Sequence, residues 1–427
     1  MTTLVMLGAM LVLVLVNVPI AVALGIVAMG GLWYTYGFDD LVMSAVTLYE
    51  GSRNFPLLAI PLFTLAGAIM NTSGISRRLI AFTSALVGFV RGGLAMVNIA
   101  ASMFFAEISG SAVADVAALG SILIPAMQKR GYSKEFAAAV TSSSASLAII
   151  IPPSIPMILY AVMADTSVVQ LFVAGIVPGI LGGFLLMGLA YWFAVRLNFP
   201  VEEVFGLCRV WTTFKEAGWA LTLPFIILGG IFGGFVTATE GAGLAVAAAL
   251  LIGALIYRDL GLRELYAAMK DGAIQTAVVM LLVATSALLG QYLTQARVPQ
   301  MLTEAIVGLT QNRYFVLALL NLLFLVLGFF LHGAAAIILV VPIVLPIARA
   351  VGIDPVHFGL IVTLNLAIGQ QTPPVASVLL TACSIARADV WSVTRINVWF
   401  IAVLVLLLML VSYVPALSLT LVEIFYR

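Results

Sequence analysis

Long apolar runs recur along this chain, and they restrict its fold more than any other feature. Examples are Leu4–Val16, Ala217–Val236, Phe315–Leu331 and Val398–Val411. A helix needs about 20 mostly apolar residues to cross a bilayer. Only 9% of the residues are charged and 63% are hydrophobic, whereas soluble domains have about 25% charged residues. The sequence therefore predicts a polytopic membrane protein.

Other structural classes fit poorly. Barrel strands alternate apolar and polar residues over about ten positions, but the runs here are continuous and longer, so an all-α fold is predicted. The first run lacks a basic start and a small-residue cleavage site, which favours a retained span over a signal peptide. The net charge of +1 gives no case for nucleic acid. Cys208 and Cys383 suit neither a disulfide framework nor a zinc site.

Enzymatic motifs are also absent from the sequence. It contains no His-Glu-x-x-His helix, no Gly-x-Ser-x-Gly elbow and no Walker loop, so those routes of hydrolysis are not expected. Ser109 and Ser111 have no basic partner at an evident spacing. We predict that the chain is not an enzyme and has no organic cofactor.

The two halves of the chain resemble each other. A double proline at Pro152 and Pro153 recurs at Pro373 and Pro374, 221 positions later. Pro125 and Pro346 have the same separation, and Asn98 and Asn321 have one of 223. These landmarks keep one order, so they predict two structural repeats, at 1–197 and 218–427. The polar stretch at 198–217 between them is predicted to be an amphipathic connector.

Each repeat has the same internal plan. Small or polar residues interrupt about 30 apolar ones, which is typical of a re-entrant helical hairpin. A second helix then runs into the double proline, which removes backbone donors and breaks the helix. The predicted hairpins lie at about 93–128 and 314–348, and the predicted broken helices at about 134–165 and 355–386.

Charge predicts how the repeats are oriented. The turn at 129–134 carries three basic residues, and its counterpart at 349–354 carries one basic and one acidic residue. The positive-inside rule favours the first turn in the cytoplasm and permits the second outside. The repeats are therefore predicted to have inverted topology, although the sequence leaves open that Arg77 and Arg78 fall on the opposite side.

Neutral oxygen donors surround both predicted breaks. Ser109, Ser111 and four serines between 142 and 146 lie near the first, and Asn365, Gln370, Gln371 and Thr372 lie near the second. A broken helix exposes carbonyl groups that suit a hard cation and N–H groups that suit an anion. Such donors fit sodium better than a transition metal. A single serine in 142–146 is more simply explained by packing.

Charged residues within apolar stretches are the other candidates, because charge is costly in a membrane. Glu107 and Asp115 flank the first hairpin tip. Glu240 is either functional or, as we favour, part of a helix start capped by Thr237 or Thr239. His332 is either a proton site or, as we favour, a hydrogen-bonding residue of the second tip. Arg297 and Arg387 are predicted to be interfacial, with binding of an anionic substrate as the alternative.

Several of these motifs together resemble a known family. The chain is similar along essentially its whole length to the large membrane subunit of tripartite ATP-independent periplasmic (TRAP) transporters, the DctM-like family. The motifs are specific in combination and weak singly. The residues that carry the resemblance are 104–111, 114–115, 150–154, 239–242 and 369–375.

The resemblance implies a function. Such a subunit is an elevator-type transporter of the bacterial inner membrane that imports a small organic acid, such as a C4-dicarboxylate or sialic acid, with sodium ions. It implies two partners, a small four-helix membrane subunit (Q) and a periplasmic substrate-binding protein (P). Since the repeats fill the chain, the Q subunit is expected to be a separate polypeptide.

The resemblance also implies site residues, when it is carried over position by position. Ala148 stands where the family is expected to have glycine, and the hairpin ligand of the second site is either Gly328 or Gly333. The implied sodium ligands are Ser109, Ala148, Ile151, Pro153, Gly328, Gly333, Gly369, Thr372 and Val375. The residues predicted to bind the carboxylate substrate are Ser111, Ser144, Pro152, Asn365 and Pro373.

Other functions remain possible from the sequence. A stand-alone sodium–carboxylate symporter of similar architecture is the main alternative. A passive channel and a membrane scaffold belong to different classes and are weaker alternatives. The sequence contains no residue that identifies a particular acid.

Overall fold

The chain is almost entirely helical in a computed structural model, which describes residues 2–16, 18–199, 201, 205–331, 333–373 and 376–426. These described residues contain no β-strand. Eight of their helices are long and apolar enough to cross a membrane. The predicted all-α polytopic membrane fold is therefore confirmed.

The first half of the chain folds into helices α1 to α11. Helix ends follow local chemistry: the Ser133 hydroxyl accepts a hydrogen bond from the Phe136 N–H at 3.2 Å at the start of α9, which satisfies a first-turn donor. The helices are α1 (Thr2–Leu15), α2 (Ile20–Tyr36), α3 (Phe38–Ser52), α4 (Ala59–Thr72), α5 (Ile75–Val87), α6 (Gly93–Ser109), α7 (Ala112–Asp115), α8 (Ser121–Lys129), α9 (Lys134–Ala145), α10 (Ile155–Ala164) and α11 (Val168–Arg196).

The second half folds into helices α12 to α21. Asp354 begins α18 by accepting the N–H groups of Val356 at 2.8 Å and His357 at 3.2 Å. The helices are α12 (Leu207–Phe232), α13 (Ala238–Leu250), α14 (Leu262–Gln295), α15 (Val298–Leu309), α16 (Arg313–Phe330), α17 (Gly333–Ala350), α18 (Pro355–Gly369), α19 (Ser377–Ala386), α20 (Val390–Tyr413) and α21 (Ala416–Tyr426).

The helices of the two halves correspond. An offset of 221 residues carries Lys134, the first residue of α9, onto Pro355, the first residue of α18. The long α14 corresponds to α3 and α4 together, and Pro56 lies between those two helices. Packing is reciprocal, because α2 packs against α14, and α13, which is the counterpart of α2, packs against α4. Reciprocal contacts of this kind indicate a pseudo-two-fold axis between the halves.

Helices α6 to α8 form the first hairpin, called hairpin 1, which enters and leaves on one face of the protein. Gly92, before its first arm, lies against Ala194 near the end of α11. Tyr132, after its second arm, has its ring 4.3 Å from that of Phe199, just beyond α11. Both ends of hairpin 1 therefore lie at the same end of α11, as expected for a re-entrant segment.

The second hairpin, hairpin 2 (α16 and α17), enters from the opposite face. The broken helix α9–α10 runs from the end of hairpin 1 to Ala164. Arg349, at the end of hairpin 2, donates a hydrogen bond of 2.8 Å to the Ala164 carbonyl. At the other end, the Lys134 ammonium lies 3.4 Å from the Arg387 carbonyl. The two hairpins thus meet opposite ends of one broken helix, and the repeats have inverted topology as predicted.

Basic residues concentrate on the face where hairpin 1 begins. Arg78 lies 2.6 Å from the Asp259 carboxylate, and the neighbouring Tyr257 donates a hydrogen bond to the Glu216 carbonyl. Arg77 and Arg78 therefore share this face with the connector, which resolves the alternative left by the sequence. By the positive-inside rule this face is cytoplasmic. Its basic residues include Arg77, Arg78, Arg91, Lys129, Arg130, Lys134, Arg196, Arg209, Lys215, Arg258, Arg263 and Arg387.

The connector differs from the prediction in one respect. It was expected at 198–217, but α12 already begins at Leu207 and continues without interruption to Phe232. No proline or glycine lies between Leu207 and Ala217, so the amphipathic turns extend the membrane helix instead of forming a separate segment.

Candidate functional site

The tip of hairpin 1 lies against the break in the first broken helix. We call this segment break 1 (Ile150–Ser154), after the short turn at Ser146–Ile149 that ends α9. Gly110 has φ +58, and a Cβ atom there would lie 2.9 Å from the Pro153 carbonyl oxygen. The Ile155 N–H donates to the Gly110 carbonyl at 3.3 Å. Only glycine fits this left-handed tip without strain or contact.

Break 1 is held by its own residues. The Ser154 hydroxyl donates to the Ile149 carbonyl at 2.7 Å and accepts the Met157 N–H at 3.5 Å, which caps α10. Among the residues that the structure describes, no backbone N–H donates to the carbonyl of Ile151 or Pro153. These two buried oxygens therefore keep acceptor capacity that a cation would satisfy.

The second broken helix is interrupted at Gln370–Ala376, which we call break 2. The Thr372 hydroxyl donates to the Ile368 carbonyl at 3.0 Å, and the Val378 N–H reaches back to the Gln370 carbonyl at 3.1 Å. Pro374 and Val375, the latter a predicted sodium ligand, lie outside the described residues. Helix α19 then starts after Ala376 with no side-chain cap.

Hairpin 2 contacts break 2 through both candidate glycines. A Cβ atom on Gly328 would lie 2.9 Å from the Cα atom of Gly369, so the backbones of α16 and α18 touch directly there. A Cβ atom on Gly333 would lie 2.6 Å from the Gln370 side-chain nitrogen. The structure therefore places both glycines beside the break. His332, which lies between these two glycines in the sequence, is outside the described residues.

An equivalent hydrogen bond joins each hairpin to its broken helix. In the first repeat the Ser144 hydroxyl donates to the Asn98 side-chain oxygen at 3.2 Å. In the second, the Asn365 amide donates to the Asn321 side-chain oxygen at 2.8 Å. Ser144 and Asn365 are 221 positions apart. The sequence marked the two asparagines as repeat landmarks but did not predict this contact.

Most of the described site residues lie at the two breaks, two are buried between a hairpin and a broken helix, and one is partly exposed. Ala148, Ile151 and Pro153 lie at break 1, where Ser109 ends the first arm of hairpin 1, and Gly328, Gly333, Gly369 and Thr372 lie at break 2. Pro152 and Pro373 belong to the breaks themselves. Ser144 and Asn365 are completely buried between hairpin and helix. Ser111 is partly exposed and caps α7.

Ser111 opens onto a cleft that is lined by both polar and apolar residues. The cleft has a volume of about 190 Å³ and lies between the second arm of hairpin 1 and helices α4 and α14. Since α4 ends and α14 begins on the cytoplasmic face, it occupies that half of the molecule. It is lined by Thr64, Gly67, Ala68, Asn71, Thr72, Ser111, Ala114, Ala117, Ala268, Asp271 and Gln275.

The other charged candidates have different surroundings. Glu240 forms a capping box, since its carboxylate accepts the Thr237 N–H at 2.8 Å and its own N–H donates to the Thr237 hydroxyl, so the favoured helix-start role is confirmed. Asp115 is completely buried in α7. Arg297 and Arg387 flank helix ends. Within the described part of the chain, no three His, Cys, Asp or Glu residues group as metal ligands.

Two inverted units each place a hairpin against a broken helix. This arrangement defines a class of membrane transporter components, which are built from inverted repeats and carry their binding sites on discontinuous helices. The sequence matches the family described as "Tripartite ATP-independent periplasmic transporter, DctM component" over residues 7–417. The chain belongs to this family, whose members are transport components of tripartite systems. The predicted family is confirmed, and the chain is a multi-pass protein of the bacterial inner membrane.

Individual relatives support the assignment. The chain is 39% identical to the isethionate TRAP transporter permease protein DctMQ of Oleidesulfovibrio alaskensis, over 96% of this chain and 65% of that protein. It thus spans less than two thirds of that relative's length. It is 38% identical to the C4-dicarboxylate TRAP transporter large permease protein DctM of Vibrio cholerae, over 95% of this chain and 94% of that protein.

A solved structure has the same fold. The crystal structure of the YdaH transporter of Alcanivorax borkumensis matches with a TM-score of 0.64 over 98% of this chain and 99% of that one. The sequences are 15% identical, so the likeness concerns the fold alone.

Proposed function

We propose that this chain is the transport subunit of a sodium-coupled, binding-protein-dependent secondary transporter, which imports a small organic acid across the inner membrane by an elevator mechanism. One observation carries the proposal: a hairpin tip or arm lies against a helix break in each of two inverted repeats. Unwound backbone at membrane depth is tolerated only where it is buried or lines a site.

Sodium is the cation that the donors favour. Break 1 offers the buried carbonyls of Ile151 and Pro153. Break 2 offers the Thr372 hydroxyl, which donates its proton to the Ile368 carbonyl, so its oxygen lone pairs remain available to a cation. All of these are neutral oxygens, which suit a hard cation. Each bound ion would tie a hairpin to a break and so shape the site for the substrate.

The packing supports an elevator. Helices α2, α3, α4, α13 and α14 pack mainly on one another, whereas the hairpins pack on the broken helices, which also contact α11 and α20. The short helices α5 and α15 join the first group to hairpin 1 and hairpin 2. The cleft at Ser111 separates the groups on the cytoplasmic side, where a mobile domain would release its cargo.

The relatives support a proposal for the substrate class and the partners. The names of two relatives cite isethionate, a sulfonate, and C4-dicarboxylates, and both are small organic anions. We therefore propose a small organic acid as the cargo. The family is tripartite, so we propose a small Q subunit and a periplasmic binding protein as partners of this chain.

Uptake by proteoliposomes tests the proposal. The complex with its Q subunit and loaded binding protein should accumulate substrate only under an inward sodium gradient. Accumulation without either partner would instead establish a stand-alone symporter. Flux that is indifferent to the sodium gradient would indicate a passive channel and contradict the proposal.

Thr372→Ala tests the second sodium site. It should raise the sodium concentration for half-maximal uptake by roughly tenfold, as expected for the loss of one ion contact, and Thr372→Ser should restore it. The matched control is Thr381→Ala, because Thr381 makes the same type of bond, at 2.8 Å to the Ser377 carbonyl, but lies in α19 beyond the break. Unchanged sodium activation in Thr372→Ala would remove this residue from the site.

A further inference from the structure

Three fully buried polar side chains meet between the two repeats. Ser143 belongs to α9, Gln371 to break 2 and Asn397 to α20, and each has 0% exposure. The Ser143 hydroxyl lies 2.8 Å from the Gln371 side-chain oxygen and 2.7 Å from the Asn397 side-chain oxygen. The Asn397 nitrogen lies 3.5 Å from both the main-chain and side-chain oxygens of Gln371. We call these residues the inter-repeat triad.

The triad connects the two breaks. On one side, the Ser143 carbonyl accepts a 2.6 Å hydrogen bond from the Ser146 hydroxyl, and Ser146 begins the turn that leads into break 1. On the other side, Gln371 immediately precedes Thr372. A hydrogen-bonded path of a few residues therefore runs from break 1, through Ser143, to the backbone of break 2.

The fold does not require polar residues here. At an offset of 221, the counterparts of Ser143, Gln371 and Asn397 are Leu364, Ile150 and Ile176. The other repeat thus fills the equivalent positions with apolar side chains. Burying polar groups costs free energy relative to well-packed apolar ones, so packing alone does not explain a polar triad on one side of the pseudo-symmetry axis.

The triad can also respond to an ion. The Ser143 hydroxyl carries one proton, but two amide oxygens lie within hydrogen-bond distance of it. A cation at break 2 would attract the oxygens of Gln371 and its neighbours. The Ser143 hydroxyl would then change its hydrogen bond between the Gln371 and Asn397 oxygens. That change reaches break 1 through the backbone of Ser143, because the Ser146 hydroxyl is bound to it.

We propose that Ser143, Gln371 and Asn397 are positioning residues that couple the two sodium sites, so that a sodium ion at one break orders the other. The inference rests on the proposed function, since it assumes an ion at each break. Coupling between two sites is reciprocal and produces a Hill coefficient that can approach the number of sites.

The test is the sodium dependence of uptake by the reconstituted tripartite complex, together with sodium-dependent thermal stabilisation of the purified chain. The wild type should give a Hill coefficient approaching about 2, and Ser143→Ala and Asn397→Leu should lower it toward about 1 and raise the half-saturating sodium concentration. Ser143→Thr, which keeps the hydroxyl, should restore cooperativity.

The matched control is Ser412→Ala. It also removes a fully buried hydrogen bond of α20, the 3.1 Å bond from Asn321, but lies within the second repeat. It should lower thermal stability and leave the Hill coefficient unchanged. If Ser143→Ala does not fold, the isosteric Asn397→Leu measures the same coupling.

The outcomes separate the two proposals. Wild-type uptake without any sodium dependence would overturn the proposed function. Sodium-dependent uptake with a wild-type Hill coefficient of about 1, or with the same coefficient in both triad variants, would overturn the coupling and leave the proposed function in place.

Discussion

Break 1 and break 2 occupy equivalent positions but are stabilised in different ways. Break 1 is closed by its own serine, because Ser154 bonds to Ile149 and caps α10. Break 2 has no side-chain cap on α19 and is supported from outside, where Gly328 of hairpin 2 packs directly on Gly369. Both breaks contact their hairpins, since the Ile155 N–H donates to the Gly110 carbonyl after break 1, but the helix after break 1 has a side-chain cap and α19 has none.

We propose that this difference gives the two breaks unequal tasks. The Ser154 cap fixes the start of α10, so break 1 suits an ion site of fixed geometry. Break 2 lacks such a cap, and the uncapped N–H groups of α19 carry the positive end of a helix dipole. Break 2 therefore suits an anionic cargo as well as an ion.

The largest effect on uptake is expected from a substitution at Gly369, whose counterpart in the first repeat is Ala148. Gly369→Ala would place a Cβ atom 2.5 Å from the Cα atom of Gly328, which forces apart two backbones at a cost of about 1–3 kcal/mol. Uptake should fall by about tenfold or more. Ala148, the equivalent residue of the first repeat, already has a Cβ atom, so Ala148→Gly is the matched control and should have a small effect. Equal uptake by wild type and Gly369→Ala would contradict the comparison.

A second effect concerns the paired residues Asn365 and Ser144. The Asn365 side-chain oxygen is buried and has no hydrogen-bond partner among the described residues, whereas Ser144 bonds to Ser102, Asn98 and the Thr141 carbonyl. Asn365→Leu should therefore weaken substrate or sodium binding by about tenfold, since a buried unpaired oxygen indicates a ligand. Ser144→Ala should lower stability by about 1 kcal/mol at an unchanged KM. Binding assays and thermal melts distinguish these outcomes, and identical profiles for the two variants would count against the assignment.

A smaller effect is expected at the helix starts that follow the breaks. Ser154→Ala removes the cap of α10 and should lower stability by about 1 kcal/mol. Ser377→Ala should be nearly neutral, because the Ser377 hydroxyl is buried without a partner among the described residues. Thermal unfolding in detergent measures both. A larger loss of stability in Ser377→Ala than in Ser154→Ala would show that break 2 is capped after all.

The smallest effect is expected outside both breaks. Glu240 serves the start of α13 through its capping box with Thr237. Glu240→Gln retains an oxygen acceptor, so uptake and its sodium dependence should stay at wild-type levels. A selective change in sodium activation would give Glu240 a role in coupling.

The breaks and hairpins were predictable because their signals are local. A double proline ends a helix wherever it occurs, and a glycine with serines between apolar arms favours a tip. Inverted topology followed from the charge of one turn. The recurrence at 221 positions then strengthened each local signal by repeating it.

Other features could not be predicted, because they depend on tertiary packing. The bond between Asn98 and Ser144 joins residues whose approach depends on how hairpin and helix cross. Asn397 lies 26 positions from Gln371, and nothing in its own sequence neighbourhood marks it as a partner of break 2. The start of α12 at Leu207 was not predicted, because the polar residues up to 217 were assigned to the connector, whereas amphipathic turns can extend a membrane helix.

Counting bound sodium tests the central claim, that each break holds one ion. Equilibrium binding of radioactive sodium to the purified chain should saturate at about two ions per molecule, as expected for one ion at each of two breaks, and Thr372→Ala should raise the sodium concentration that fills the second site by roughly tenfold. Saturation at one ion or none in the wild type, or an unchanged binding curve in Thr372→Ala, would contradict the account.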